Sequence, residues 1–279
     1  MTRTGTEAVL WTSPPVLSLR RVLAMVARYA LLLKNSWTRI FELVYWPTIQ
    51  MILWGFISVF LRQNSSWVAQ AAGVLIAAVI LWDVLFRGQL GVSISFMEEM
   101  WSRNLGHLFT SPLRPVELAA ALTIMSLIRT LIGTVPAALL AIPLYHYNIF
   151  TMGLPLLAFF VNLLVFGWAM GLALSGIILR YGQSAESLAW LAIFLLAPVS
   201  AIYYPVAILP GWLQAVAWVL PSAYVFEGMR AVMFDNVVRL DYLAYAAALN
   251  VLYMIFGILA FLYAVLLARR RGLFIQMGE

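Results

Sequence analysis

The chain has 279 residues, 64% of them hydrophobic and 10% charged, with a net charge of +6. A soluble domain is nearer half apolar and a quarter charged, so this composition describes one integral membrane domain with short loops and excludes a sizeable soluble one. Cysteine is absent, which removes disulfides, thiol chemistry and thiolate metal sites, and the two histidines, His107 and His146, are too far apart in sequence to read as a metal pair. The positive balance fits basic cytoplasmic flanks rather than nucleic acid binding, since no soluble basic face is present.

Residues 1–15 are polar with scattered apolar positions and read as a flexible N-terminus, without the apolar core and small-residue cleavage site of a signal peptide. Residues 16–40 read as an amphipathic helix on the cytoplasmic membrane surface. Leu19, Val22, Leu23, Val26, Ala30, Leu33 and Trp37 recur at helical spacing, and Arg21, Arg28 and Arg39 fall on other faces. The same segment also reads as an extended start to the first span. Residues 41–61 form that span, ~31 Å long at the helical rise, with Pro47 as a possible kink. A polar turn, RQNSSW, leads to a second helix over 68–96, and residues 97–116 form the most polar internal loop.

A third span covers 117–144, interrupted by Arg129 and Pro136, and a fourth covers 153–179. Gly167, Gly171 and Ser175 on the fourth permit close helix packing, within the chain or between copies. A fifth span begins at 186 and runs to about 202, and a sixth covers 242–268, ahead of a basic tail, 269–279. Between them, Pro205, Pro210 and Pro221 cut an apolar stretch into pieces too short to cross a bilayer. Irregular backbone cannot face lipid, so 203–230 reads as two short helices dipping into the outer leaflet and returning. Read instead as a seventh span, it would carry Pro210 and Pro221 inside a helix and send Arg269, Arg270 and Arg271 to the outer side. With both termini cytoplasmic, most Arg residues fall inside and only Arg62, Arg230 and Arg239 outside, a positive-inside bias. The expected fold is thus all-α: six transmembrane helices over 41–268, an N-terminal interface helix, and a re-entrant outer hairpin between spans five and six.

Three intramembrane charges stand out. Asp83 and Arg87 are four apart on one helix face and can pair. Arg129 lies ~18–20 Å along its span, where an arginine needs a partner or a wet cavity. Asp83, at similar depth, is the candidate partner. These charges read either as part of a substrate path or as an interhelical tie.

The run PVAILPGWLQAVAWVLPSAYVFEGMR resembles the C-terminal signature of ABC-2-type transporter permeases, through Pro205, Pro210, Gly211, Trp212, Leu213, Gln214, Pro221, Tyr224, Glu227 and Arg230. The 97–116 loop is similar to the family's cytoplasmic loop at Glu98, Glu99, Arg103, Leu105, Leu108, Ser111 and Pro112. The resemblance implies the permease subunit of an ATP-driven exporter of drugs, lipids or lipid-linked glycans, in the bacterial inner membrane. The chain lacks the Gly-x-x-x-x-Gly-Lys-Ser/Thr phosphate loop, and its one lysine, Lys34, follows ARYALLL. ATP and Mg therefore belong to a separate ATPase subunit, two copies of which would join two copies of this chain. The resemblance makes the cytoplasmic loop the ATPase-coupling element. Met97, Trp101, Leu105 and Leu108 would form a stripe for a groove, with Glu98, Glu99 and Arg103 pairing at its rim. Residues 203–230, with Tyr203, would form the outer gate, within which Glu227 and Arg230 hold the fold. An ion-coupled secondary transporter would want a repeat and midplane acids, and only Asp83 is such an acid. A membrane enzyme would want a clustered acid, base or nucleophile set, which the sequence does not place together. A channel or structural subunit is compatible with composition alone.

Overall fold

The computed structural model describes residues 18–64 and 68–271; the predicted N-terminus 1–15, the end of the RQNSSW turn and tail residues 272–279 lie outside the described residues. Ten α-helices make up the described chain: α1 Leu19–Lys34, α2 Trp37–Asn64, α3 Val68–Trp101, α4 Leu105–Thr110, α5 Pro115–Tyr145, α6 Leu154–Tyr181, α7 Glu186–Leu196, α8 Gly211–Ala217, α9 Pro221–Asp235 and α10 Leu240–Arg271. Among the described residues five helices, α2, α3, α5, α6 and α10, are long and apolar enough to cross a membrane. The fold is an all-α, multi-span bundle with α3 and α6 at its centre.

Two stacked cores hold the bundle. One joins α1, the C-terminal part of α3, α4, the start of α5 and the ends of α6 and α10, with Phe96 set edge-on to Phe261 at 5.8 Å. The other joins the first half of α3, the end of α5, the first half of α6 and α9 around Phe159, Phe166 and Phe226. Glycine brings backbones together where the centre is tightest. A Cβ at Gly167 would lie 2.8 Å from the Leu85 carbonyl oxygen, and one at Gly171 would lie 2.7 Å from that of Gln89. The small-residue row of α6 thus serves packing within the chain, against α3.

Several boundaries depart from expectation for identifiable reasons. The helix expected over 16–40 ends at Lys34, because Asn35 and Ser36 turn the chain and the Ser36 carbonyl accepts from the amides of Arg39 and Ile40, opening α2. Trp37 therefore belongs to α2. The buried stripe of α1 is Val22, Met25, Tyr29 and Leu33, while Leu19 and Leu23 face outward. Helix α5 continues through Pro136 and Pro143 without interruption, as membrane helices can where neighbours satisfy the freed carbonyls. The expected fifth span is the largest departure. Its helix, α7, stops at Leu196, ~16 Å long. Pro198 then lacks the amide a continuing helix needs, and Ala201 adopts a left-handed conformation (φ 56°), so the chain proceeds in turns.

Beyond α7 the chain doubles back. A short 3-10 turn at Val206–Ile208 precedes Pro210, which starts α8, and Pro221 occupies the first position of α9, where its missing amide does no harm. Segment 200–206 lies along α9: Ser222 bonds Ser200 (2.9 Å), and the Glu227 carboxylate accepts from the Val206 amide (2.6 Å). The Val219 carbonyl, between α8 and α9, accepts from Tyr253 Oη at 3.4 Å. Tyr253 lies ~20 Å along α10 from its start.

Candidate functional site

Two buried carboxylates, Glu117 and Glu99, and the partly buried Glu98 organise the end of the bundle that carries α1 and α4. Glu117, in the first turn of α5, is fully buried and accepts four hydrogen bonds. Arg21 donates through Nε (2.8 Å) and Nη2 (2.6 Å), and the amides of Ser18 (2.9 Å) and Arg114 (3.0 Å) complete the set. This bidentate, charge-assisted pair fixes orientation as well as distance, and it raises the Arg21 pKa above its ordinary value. Glu99 is 1% exposed and is held by Arg28 Nη1 (2.8 Å) and Asn104 Nδ2 (2.6 Å). Burial, then the neighbouring Glu99 charge, pushes the Tyr29 phenol up as well. Glu98 is shared: Oε1 accepts from Arg39 (3.2 Å) and Oε2 from Arg129 (3.0 Å). Glu117, Arg21 and Arg28 were not singled out by sequence reasoning. Their partners lie 96 and 71 residues away, and the only local hint was the Pro115-x-Glu117 helix start.

Segment 97–116 differs from its predicted form. Met97 to Trp101 extend α3 instead of opening a loop helix. The chain leaves α3 through Arg103, whose φ of 54° is a conformation that helix ends usually leave to glycine or asparagine. Met97, Leu105 and Leu108 point inward onto α1 and α5, so they do not form an outward stripe. The outward face of this corner carries Trp101 (45% exposed), Arg103 and His107.

Arg129 also has a different partner from the one expected. Asp83 pairs with Arg87 at 2.6 Å, as its i,i+4 spacing predicts. Gly133 provides the room for this pair, since a Cβ there would lie 2.7 Å from Arg87 Nε. With Asp83 occupied, Arg129 turns along α5 to Glu98. Both arginines are buried, 8% and 7% exposed.

These charges face a cavity of about 750 Å3 between α2, α3 and α7, with Arg129 contributed by α5. Its walls are aromatic: Trp46 from α2, Trp82 and Phe86 from α3, Trp190 and Phe194 from α7, and Tyr203 beyond α7. Its charged groups are Arg39, Glu42, Asp83, Arg87, Glu98, Arg129 and Glu186. Gln89, fully buried, donates to the Ala189 carbonyl (3.2 Å) and fixes α7 against α3. At the end remote from Glu98, Tyr203 stacks on Trp54 with ring centroids 4.3 Å apart.

The predicted gate residues gather in the doubled-back segment. Glu227 pairs with Arg230 (3.2 Å), and Arg230 also donates to the Ile202 carbonyl at 3.4 Å. Pro205, Pro210, Gly211 and Pro221 shape the turns, and Gln214 Nε2 bonds the Leu209 carbonyl at 2.8 Å across the reversal. Trp212 is 71% exposed. Tyr224 sits in a ring cluster with Trp218 (4.8 Å), Tyr245 (5.5 Å) and Tyr242 (5.9 Å). Among the described residues no group of three or more His, Cys, Asp or Glu side chains is placed to hold a metal ion.

The sequence matches the family model described as ABC-2 type transporter over residues 21–234, from Arg21 in α1 to Phe234 in α9. Comparison with curated proteins gave no match. Members of this family generally work with nucleotide-binding ATPase subunits in oligomeric complexes. The match spans most of α1, the charged corner, the aromatic cavity and the doubled-back segment, and the chain belongs to the ABC-2 type transporter family as a polytopic membrane permease.

Proposed function

We propose that this permease is the membrane subunit of an ATP-driven exporter of amphipathic molecules. Two copies of it work with two copies of a separate ATPase in the bacterial cytoplasmic membrane, with both termini cytoplasmic. ATP and Mg are bound and consumed on the ATPase. In this reading α7 and residues 197–202 together make the fifth of six crossings, and 203–230 is a re-entrant hairpin that closes the outer side. The substrate enters the aromatic cavity and leaves past Tyr203, with Pro205, Pro210, Gly211, Trp212, Pro221, Tyr224, Glu227 and Arg230 forming the gate.

The observation that carries this reading is the sharing of Glu98 between Arg39 and Arg129. A push on the α3–α4 corner reaches α2 through Arg39 and α5 through Arg129, and the same carboxylate lines the cavity. Trp101 and Arg103 offer the ATPase its outward contact. Glu98 and Glu99 fix register, and Leu105 and Leu108 anchor the corner inside, so displacement of the corner is transmitted to the bundle.

The test is the double reversal E98K/E99K in the assembled complex. Membrane insertion and ATPase binding are expected to persist while export stops. Export at the wild-type rate by that variant overturns the coupling role.

A further inference from the structure

The charged groups of the cavity are not balanced in their availability. All three of its arginines are engaged: Arg87 by Asp83 at 2.6 Å, and Arg129 and Arg39 by the one carboxylate of Glu98 at 3.0 and 3.2 Å. Two of its four acids are not. Glu42 on α2 is exposed, Glu186 at the start of α7 is half-buried, and neither has an ion pair or hydrogen bond among the described residues. The cavity's spare charge is therefore negative. It lies in a volume lined by seven indole, phenyl and phenol rings, Trp101 among them, whose negative π-faces attract cations. Partial removal from water at half-buried Glu186 strengthens both attractions and makes that carboxylate a better partner for a bound cation. The Nε of Arg129 is buried without a hydrogen-bond acceptor. That atom can donate to a neutral acceptor such as a carbonyl or ether oxygen.

We propose that the cavity selects lipophilic organic cations, with Glu42 and Glu186 as the charge-selective residues and Trp46, Trp190 and Phe194 as the surfaces against which the apolar body lies. This rests on the exporter reading above and narrows its substrate to one class. The volume of about 750 Å3 suits one drug-sized ion. Each free acid sits beside an aromatic on its own helix, Glu42 one turn before Trp46 and Glu186 one turn before Trp190, so each helix presents a carboxylate and a ring together.

The test uses two ions of nearly the same shape and opposite charge. Full-length protein in nanodiscs is titrated separately with tetraphenylphosphonium and tetraphenylborate, following tryptophan fluorescence and subtracting the partitioning measured on empty nanodiscs. Saturable binding of the phosphonium in preference to the borate is expected. E42Q/E186Q should weaken phosphonium binding about five- to tenfold, as the loss of two partly solvated charge contacts implies. E42K/E186K should reverse the preference toward the borate, and size-exclusion profiles identify any variant that misfolds. Equal or stronger binding of the borate by the wild-type chain overturns the cation proposal and leaves the cavity as a substrate site. Phosphonium binding unchanged in both variants overturns the role of the two acids. Saturable binding of neither ion overturns the proposal together with the reading of the cavity as a transport path.

Discussion

A substitution series at the buried glycines tests whether α6 is seated on α3 and α10 by backbone contact. In Gly167→Ala the new Cβ would lie 2.8 Å from the Leu85 carbonyl oxygen, and in Gly171→Ala 2.7 Å from that of Gln89. A relaxed C···O contact is ~3.3–3.6 Å, so each helix pair must part by roughly 0.6 Å. Gly257→Ala on α10 meets the Ala169 carbonyl oxygen in direct overlap, with the Ala169 Cα and carbonyl carbon at 3.0 Å. Backbone cannot swing aside as a side-chain tip can. Overpacking of this kind costs about 1–3 kcal/mol, with Gly257→Ala at the upper end. Alanine regains up to about 1 kcal/mol over glycine in a helix interior, which leaves a net loss of roughly 1 kcal/mol at 167 and 171 and about 2 kcal/mol at 257. In thermal unfolding of the purified protein, at ~2–4 °C per kcal/mol, Tm should fall by about 2–4 °C and about 4–8 °C respectively. Gly211→Ala is the control, because nothing lies within 4 Å of its added Cβ, and its Tm should hold or rise. A Gly257→Ala protein as stable as wild type would refute the close approach of α6 and α10. Equal losses at 211 and 257 would show that the effect is not contact at all.

Two further outcomes concern the site. Glu117→Gln keeps the shape of the side chain but removes the charge that accepts from Arg21 and from the Ser18 and Arg114 amides. Hydrogen exchange of the α1 amides should accelerate on the order of tenfold while the α3–α6 core is unchanged; unchanged α1 exchange would mean the apolar stripe alone holds that helix. Tyr203→Ala removes the ring stacked on Trp54 at the cavity's far end. The chain has no cysteine, so a single Cys at Ala197, which lines the cavity, can be probed without background. Its labelling by a membrane-impermeant maleimide from outside should rise severalfold in the Tyr203→Ala background, and equal labelling would remove Tyr203 from the gate.

The long apolar helices were legible because twenty consecutive apolar residues have few other destinations. The end of α3 was not. Glu98 and Glu99 look like loop residues in isolation, and it takes Arg28, Arg39 and Arg129, drawn from three other helices, with Asn104, to make their placement tolerable. Helix α7 was misjudged in the opposite sense. APVSAI reads as apolar continuation, but hydropathy does not register the missing amide of Pro198 or the left-handed turn at Ala201. The Asp83–Arg87 pair was visible because both partners lie on one helix. The partner of Arg129 was not, because side-chain direction decides it: Gly133 lets Arg87 fill the space around Asp83, and Glu98 is what remains within reach.

That competition bears on the proposed transmission of force from the ATPase. Arg129 and Arg87 lie on adjacent helices and each is committed to a single acid, whereas Glu98 serves two guanidiniums at once. A carboxylate shared between Arg39 and Arg129 satisfies neither as fully as Glu117 satisfies Arg21, which it meets with both oxygens and two shorter bonds. The firm pair therefore holds α1 to α5 as a unit, and the divided one is the contact that yields first when the α3–α4 corner is displaced. Glu98 also faces the cavity, so releasing either arginine changes the charge that a bound molecule meets. If the corner is the coupling element proposed above, movement there and affinity in the cavity are linked through one side chain, and by reciprocity a bound substrate biases the position of the corner by the same free energy.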